Sequence, residues 1–139
     1  LKTYKEENSL DNVIFEGRVP LLEMQKYYDL ADAAIVSLTG DEYCKKTVPG
    51  KVQSYLKAGL PILSIDSGAT SKWIDEIGCG LTCPAEDAEG FAGIVERFMS
   101  LSMKEKENLS EKGNSFYSTN LTENYYMKSI EAELGQLID

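Results

Sequence analysis

A regular alternation of short apolar segments with segments of helical spacing constrains this fold more than any other feature. The apolar segments contain β-branched residues and lie near glycine or proline, which is typical of strands. They occupy residues 13–15, 33–38, 61–65 and 81–83. The segments in which apolar residues recur at helical intervals are residues 21–30, 50–58 and 70–77. Strands that alternate with helices predict βα units on a parallel sheet.

The chain becomes helical throughout from residue 87 onward. Apolar residues recur at helical spacing directly after residue 87, and two further helices are predicted over residues 104–117 and 122–137. The apolar stripe of the last helix consists of Tyr125, Tyr126, Ile130, Leu134 and Leu137. Because an exposed apolar stripe is a surface for association, we expect the chain to self-associate through this helix.

The size and composition of the chain suit one domain. It has 139 residues, of which 42% are hydrophobic, enough for a core of its own. We expect a single domain over residues 1–139, with a βα core at residues 12–83 and a helical part at residues 87–139. The predicted fold class is α/β: a Rossmann-like parallel sheet of about four strands, with helices on both faces and a helical C-terminus.

Charge and cysteine content exclude several classes of function. The chain has 23 acidic and 14 basic residues, a formal net charge of −9, no histidine and three cysteines. An acidic surface repels phosphate backbones, so no nucleic-acid partner is expected. The few cysteines and the lack of histidine predict neither a disulfide framework nor a metal site. No membrane span or signal peptide is apparent, and we expect a cytoplasmic protein, with peripheral attachment to the inner face of the membrane as an alternative.

The segment from residue 45 to residue 62 runs from a loop through a helix into a strand, and its start resembles an anion site. Pro49 suits the first turn of a helix, and Gly50 lets a ligand approach the backbone. The free N–H groups of that turn and the helix dipole attract phosphate. Lys45, Lys46 and Lys51 add positive charge. Ordinary helix punctuation with solvated lysines explains the same residues equally well.

A family resemblance favours the anion site. The Pro49-Gly50-Lys51 start, the aromatic Tyr55 and the Ala-Gly-Leu-Pro of residues 58–61 are similar to a block in bacterial polysaccharide glycosyltransferases of family 4, which share the GT-B fold. Further landmarks of the family occur in the same order at residues 12–19, 28–33 and 78–81. The resemblance implies that the chain is the C-terminal, nucleotide-sugar-binding half of such an enzyme.

The same resemblance implies where a nucleotide diphosphate sugar, linked to UDP or GDP, would bind. The base would pack near Gly17, Arg18 and Val19. The diphosphate would lie on the N-terminus of the helix that starts at Pro49 and Gly50, beside the lysine that follows. No metal and no further cofactor are implied.

Two positions depart from the family pattern. Many members carry two glutamates eight positions apart in this block, and the second usually holds the ribose. Aligned on Gly59, those positions are Lys46 and Ser54 here. Ser54 can form a hydrogen bond but is not a charged bidentate acceptor, and Lys46 presents the opposite charge to the sugar or phosphate.

The implied reaction is transfer of a sugar, with retention, to a glycan or lipid-linked acceptor in surface polysaccharide synthesis. About six strands are usual in such a half, so about 50 of its residues would precede Leu1. The acceptor-binding N-terminal domain would also be missing. We therefore expect the chain alone to be inactive, and its sequence identifies no catalytic residue.

Two other classes of protein are alternatives. Nucleotide-sugar 2-epimerases share the GT-B fold, but their catalysis relies on a histidine, which this chain lacks. A receiver-like signalling module would need a phosphorylatable aspartate at a strand end, and Asp66 follows a predicted strand.

Overall fold

The fold is that of a computed structural model, which describes the backbone of residues 1–138 and the side chains of residues 1–134. Its described part contains three strands and seven α-helices. In chain order these are α1 (Lys2–Glu7), α2 (Met24–Leu30), β1 (Ala34–Ser37), α3 (Gly50–Ala58), β2 (Ile62–Ile65), α4 (Ala69–Ile77), β3 (Gly80–Cys83), α5 (Ala88–Ser100), α6 (Met103–Asn120) and α7 (Glu123–Ile138). Two short 3-10 turns, Leu21–Glu23 and Cys44–Lys46, precede α2 and α3.

The three strands form one parallel sheet in the order β1-β2-β3. Ala34 of β1 lies opposite Ile62 of β2, which lies opposite Gly80 of β3. The α/β class and the parallel sheet predicted from the sequence are therefore confirmed. Because the strands run in the same direction, their carboxyl ends meet at one edge of the sheet, where each leads into the next helix.

The strand predicted at residues 13–15 is not formed, so the described sheet has three strands where about four were expected. Residues 13–20 have no regular structure, and Ile14 is 75% exposed. The N–H of Val13 donates to the carbonyl of Leu10, which is a turn contact. Gly17 then adopts a left-handed φ of 77°. β-branched residues favour an extended backbone, but a strand also needs a neighbour with which to pair.

One face of the sheet carries the main core. Helices α3, α4 and α6 pack there, with Val52 and Leu56 of α3 one turn apart and completely buried. The buried cluster consists of Val36, Val52, Leu56, Ile62, Ile74, Cys79 and Leu121. Burial of each large aliphatic side chain stabilises the fold by about 1.5–3 kcal/mol.

The opposite face is only partly covered. Helix α5 packs against β2 and β3, and its Phe98 is 4% exposed. Leu63 of β2 is buried on this face, whereas its neighbour Ile35 of β1 is 52% exposed. Helices therefore cover both faces, as predicted, but β1 remains open to solvent on one of them.

The helix ends agree with the sequence prediction where glycine sets them. Gly59 and Gly78 end α3 and α4 with a left-handed φ of 69°, which glycine adopts without steric cost. Helix α3 matches the predicted range, and α7 begins one residue later than predicted. The side chain of Leu137, the last residue of the predicted stripe, lies outside the described ones. Helix α1 was not predicted. The division of the chain into a βα core and a helical C-terminal part stays a prediction.

None of the described helices is long and apolar enough to cross a membrane.

Candidate functional site

Three loops at the carboxyl edge of the sheet lead into helices and are the places where a ligand of a parallel sheet would bind. Residues 38–49 connect β1 to α3, residues 66–68 connect β2 to α4, and residues 84–87 connect β3 to α5. The N-termini of the three helices differ in whether the chain itself supplies a negative charge to them.

Helices α4 and α5 are capped by the chain's own carboxylates. Oδ2 of Asp66 accepts a hydrogen bond of 2.9 Å from the N–H of Ser71 in the first turn of α4. Oδ1 of Asp87 accepts one of 2.8 Å from the N–H of Gly90 in α5. Each carboxylate satisfies a free N–H group and lies at the positive end of the helix dipole. An external anion would therefore meet an acid at both places.

The start of α3 has no such acid. Pro49 is the N-cap residue and offers no side-chain hydrogen bond, and the first turn contains no acidic residue. Among the described residues, no group accepts from the N–H of Gly50 or Lys51. Gly50 is exposed, and a Cβ atom placed on it would meet nothing within 4 Å. This first turn is open to a ligand and carries the positive end of the dipole.

The three lysines predicted near this turn do not behave alike. Nζ of Lys45 lies 2.8 Å from a carboxylate oxygen of Glu42, and this hydrogen bond raises the pKa of Lys45. Lys46 and Lys51 are exposed, and neither forms an ion pair within the described residues. The positive charge available to a ligand therefore comes from Lys46 and Lys51.

Ser54 lies on the same face of α3 as Gly50 and Lys51, which precede it by four and three residues. Its exposed side chain lines a groove of about 390 Å³ between α2 and α3. The groove is lined by Leu21, Met24, Gln25, Tyr28, Ser54, Lys57 and Ala58. Tyr28 also packs edge-to-face on Tyr55, with ring centroids 5.9 Å apart, which holds the two helices together.

The predicted base-binding residues precede the same groove. Gly17 and Arg18 are exposed, Val19 is partly buried, and the 3-10 turn that begins at Leu21 follows them. Within the described residues, no hydrogen bond or ion pair joins these three to the first turn of α3. None of the three lines the groove, which begins with Leu21, two residues after Val19.

Asp41 organises the loop before α3 and was not predicted to do so. Its carboxylate accepts a hydrogen bond from the hydroxyl of Thr39 and another, of 2.8 Å, from the N–H of Cys44. The bond from Thr39 is the main cause that lowers the pKa of Asp41 to about 2. The spacing of Thr39, Asp41 and Cys44 is that of a turn closed by an aspartate side chain, a signal present in the sequence.

Asp66 does not fit the receiver-like alternative. It follows β2, as expected, but only 2% of its surface is exposed. A phosphorylatable aspartate must be reachable, whereas this carboxylate is buried and holds the start of α4.

Cys79 and Cys83 are buried, and Cys44 is partly exposed. Within the described residues, no three cysteine or acidic side chains come together to hold a metal ion. Cys79 is buried in the core, and that burial raises its pKa to about 11. A thiol of this kind stays protonated at neutral pH and acts as an apolar packing group.

Comparison with known proteins identifies the family. Residues 1–100 match the sequence profile of a family described as "Glycosyl transferases group 1". The chain is also 30% identical over 105 residues to "Probable glycosyltransferase WbjE" of Pseudomonas aeruginosa. That similarity covers 74% of this chain but only 26% of the relative's length. Because the family match includes the parallel sheet and the helix with the open N-terminus, the chain belongs to the group 1 glycosyl transferases.

Proposed function

We propose that this chain forms the donor-binding part of an enzyme that transfers a sugar from a nucleotide diphosphate sugar, with retention, to a glycan or lipid-linked acceptor. One observation carries the proposal. Of the three helix N-termini at the carboxyl edge of the sheet, that of α3 lacks an acid of its own, in a chain of net charge −9. It has Lys51 in its first turn and Lys46 in the loop before it. Membership of the group 1 glycosyl transferases supports the same activity.

The diphosphate is proposed to bind at the first turn of α3. The N–H groups of Gly50 and Lys51 would donate to phosphate oxygens, and the side chains of Lys46 and Lys51 would add charge. Sugar transfer separates positive charge on the sugar from negative charge on the departing diphosphate. Fixed dipoles and cations that face the negative end lower this barrier. The proposal requires no metal ion.

The nucleoside is proposed to lie along the groove between α2 and α3. Ser54 is the side chain within the groove nearest in sequence to the first turn, and it offers one hydroxyl to the ribose. Gly17, Arg18 and Val19 would surround the base at the α2 end. A serine holds the ribose less strongly than a carboxylate, because a neutral hydrogen bond is weaker than a charged one.

The whole enzyme would extend beyond this chain. The chain spans 26% of the length of the curated relative. We therefore propose that the whole enzyme also has an acceptor-binding N-terminal domain. We further propose that it acts in surface polysaccharide synthesis and lies in the cytoplasm, free or at the inner face of the membrane. Assignment to family 4 and to the C-terminal half rests on the motifs around Pro49 and Gly59. We propose that this chain alone is inactive.

Nucleotide binding tests the proposal directly. Thermal melting of the natural gene product that contains this chain is measured with and without millimolar UDP and GDP, for the wild type, Lys51→Ala and the control Lys104→Ala. Lys104 is an exposed lysine at the start of α6. One nucleotide should raise the melting temperature, and Lys51→Ala should weaken the affinity about ten-fold because a charge-assisted bond is lost. Equal effects of the two substitutions would exclude α3 as the diphosphate site.

A further inference from the structure

We infer that Thr70 of α4 is a positioning residue for the nucleotide site at α3. Its side chain fixes the segment that carries Lys46 and leads into the open first turn. This inference rests on the proposed function, because it assigns Thr70 a part in nucleotide binding without contact with the nucleotide.

The contact joins two segments that are far apart in the sequence. The hydroxyl of Thr70 donates a hydrogen bond of 2.9 Å to the carbonyl of Thr47, 23 residues earlier. Thr70 is completely buried. Thr47 follows Lys46 directly and lies two residues before Pro49, the N-cap residue of α3. The bond therefore fixes the backbone between the free lysine and the open helix turn.

A second contact holds the same segment against the start of α4. The backbone of Lys45 lies so close to Gly68 that a Cβ atom on Gly68 would overlap the Cα and carbonyl of Lys45. Glycine at this position allows the two backbones to touch. Thr47 also donates its hydroxyl to the carbonyl of Tyr43 at 2.8 Å, which ties it to the turn on its other side.

The support provided by α4 is itself rigid. Ile74 anchors the helix in the core, and the bond from the N–H of Ser71 to Asp66 fixes its first turn. A segment held by such a support has little conformational freedom to lose when a ligand binds. Binding is stronger when the conformational entropy of the binding segment was already lost on folding and need not be lost when the ligand binds. Loss of the Thr70 hydroxyl should therefore weaken nucleotide binding, although Thr70 lies outside the groove and the first turn of α3.

Two substitutions separate the hydroxyl from the packing of Thr70. Thr70→Val keeps the shape of the side chain and removes the hydrogen bond, whereas Thr70→Ser keeps the hydroxyl and removes a methyl group. Affinity for the nucleotide that stabilises the wild type is measured in the natural gene product, at a temperature where circular dichroism shows all three proteins folded. We expect Thr70→Val to bind about five-fold more weakly and Thr70→Ser to bind like the wild type.

Hydrogen exchange supplies a readout that requires no nucleotide. The backbone amides of Lys46 and Thr47 donate hydrogen bonds to the carbonyls of Tyr43 and Cys44. In the unliganded protein these two amides should exchange faster in Thr70→Val than in the wild type or Thr70→Ser. The positioning role would be overturned if Thr70→Val matched the wild type in affinity and exchange, or if both variants lost affinity equally. The proposed function would stand in either case. A wild type that binds neither UDP nor GDP would overturn the proposed function, and the positioning role with it.

Discussion

The carboxylate of Asp41 stabilises the loop before α3 through the hydroxyl of Thr39 and the N–H of Cys44. Both groups favour the ionised carboxylate, which places its pKa in the folded protein at about 2, below the ordinary value of 3.8. A carboxylate whose pKa is lowered on folding stabilises the protein at pH values above its ordinary pKa. This stabilisation is lost as the pH falls toward the pKa of the folded state.

Asp41→Asn should therefore lower the melting temperature near neutral pH, with a difference from the wild type that shrinks as the pH falls from about 4 to about 2. Thermal melting over this pH range checks it. Asp11→Asn is the control, because the side chain of Asp11 forms no hydrogen bond or ion pair within the described residues. A difference that is constant with pH would show that Asp41 does not stabilise the loop through its charge.

The sequence showed only in part which groups near the start of α3 are available to bind an anion. The lysines were visible as a group, yet only the tertiary structure separates Lys45, which pairs with Glu42, from Lys46 and Lys51. The capping of α4 by Asp66 was equally hidden, because it depends on the path of the chain after β2. The choice among the three helix N-termini therefore required the structure.

At the scale of elements, α6 packs closely on α3 because it presents a glycine there. Gly113 is buried, and a Cβ atom on it would lie 3.1 Å from Cδ2 of Leu56 and 3.3 Å from Cβ of Cys79. Both distances are shorter than an ordinary van der Waals contact. Helical spacing predicted a polar helix in this region, but no periodicity showed that the glycine faces the core.

Gly113→Val should destabilise the fold by about 1–3 kcal/mol, because the added methyl groups overpack the contact between α6 and α3. Chemical denaturation measures the change in free energy of unfolding. The matched control is Gly93→Val in α5, where a Cβ atom would meet nothing within 4 Å. If both substitutions change the free energy of unfolding equally, the effect reflects helix propensity and the close packing at Gly113 is unimportant.

The element prediction was wrong at residues 13–15 for a related reason. Their β-branched and aromatic side chains favour an extended backbone, but residues 13–20 pair with no strand. Strand formation depends on a partner that is distant in sequence, whereas the glycine stops at Gly59 and Gly78 depend on local conformation and were predicted correctly.

At the scale of the whole molecule, helix α7 leaves an apolar surface exposed. Tyr125, Tyr126, Ile130 and Leu134 are 43%, 45%, 51% and 53% exposed. The apolar stripe that the sequence indicated is therefore present over the described side chains. Self-association through it stays a prediction.

We expect the isolated chain to form dimers at micromolar concentration through α7, and Ile130→Glu to shift it toward the monomer, because burial of a charged side chain is unfavourable. Sedimentation velocity over a range of concentrations measures this. Glu131→Gln on the same helix is the control for a change in charge alone. A wild-type chain that stays monomeric at high concentration would contradict the prediction.

The sequence by itself determined the order of the elements from α2 onward, the α/β class, the parallel sheet and the helix with an unusual start at Pro49 and Gly50. These follow from periodicity and from residues that set local backbone conformation, and both are encoded within a few neighbouring positions. The tertiary structure decided which strands pair, which lysines are free, which helix N-termini are already capped, and that Thr70 holds the loop before α3. Strand pairing and the bond from Thr70 join residues that are far apart in the sequence and meet only because of the fold. The lysine pairing and the capping contacts span three to five residues, but they depend on the backbone conformation of loops, which residue type alone does not determine.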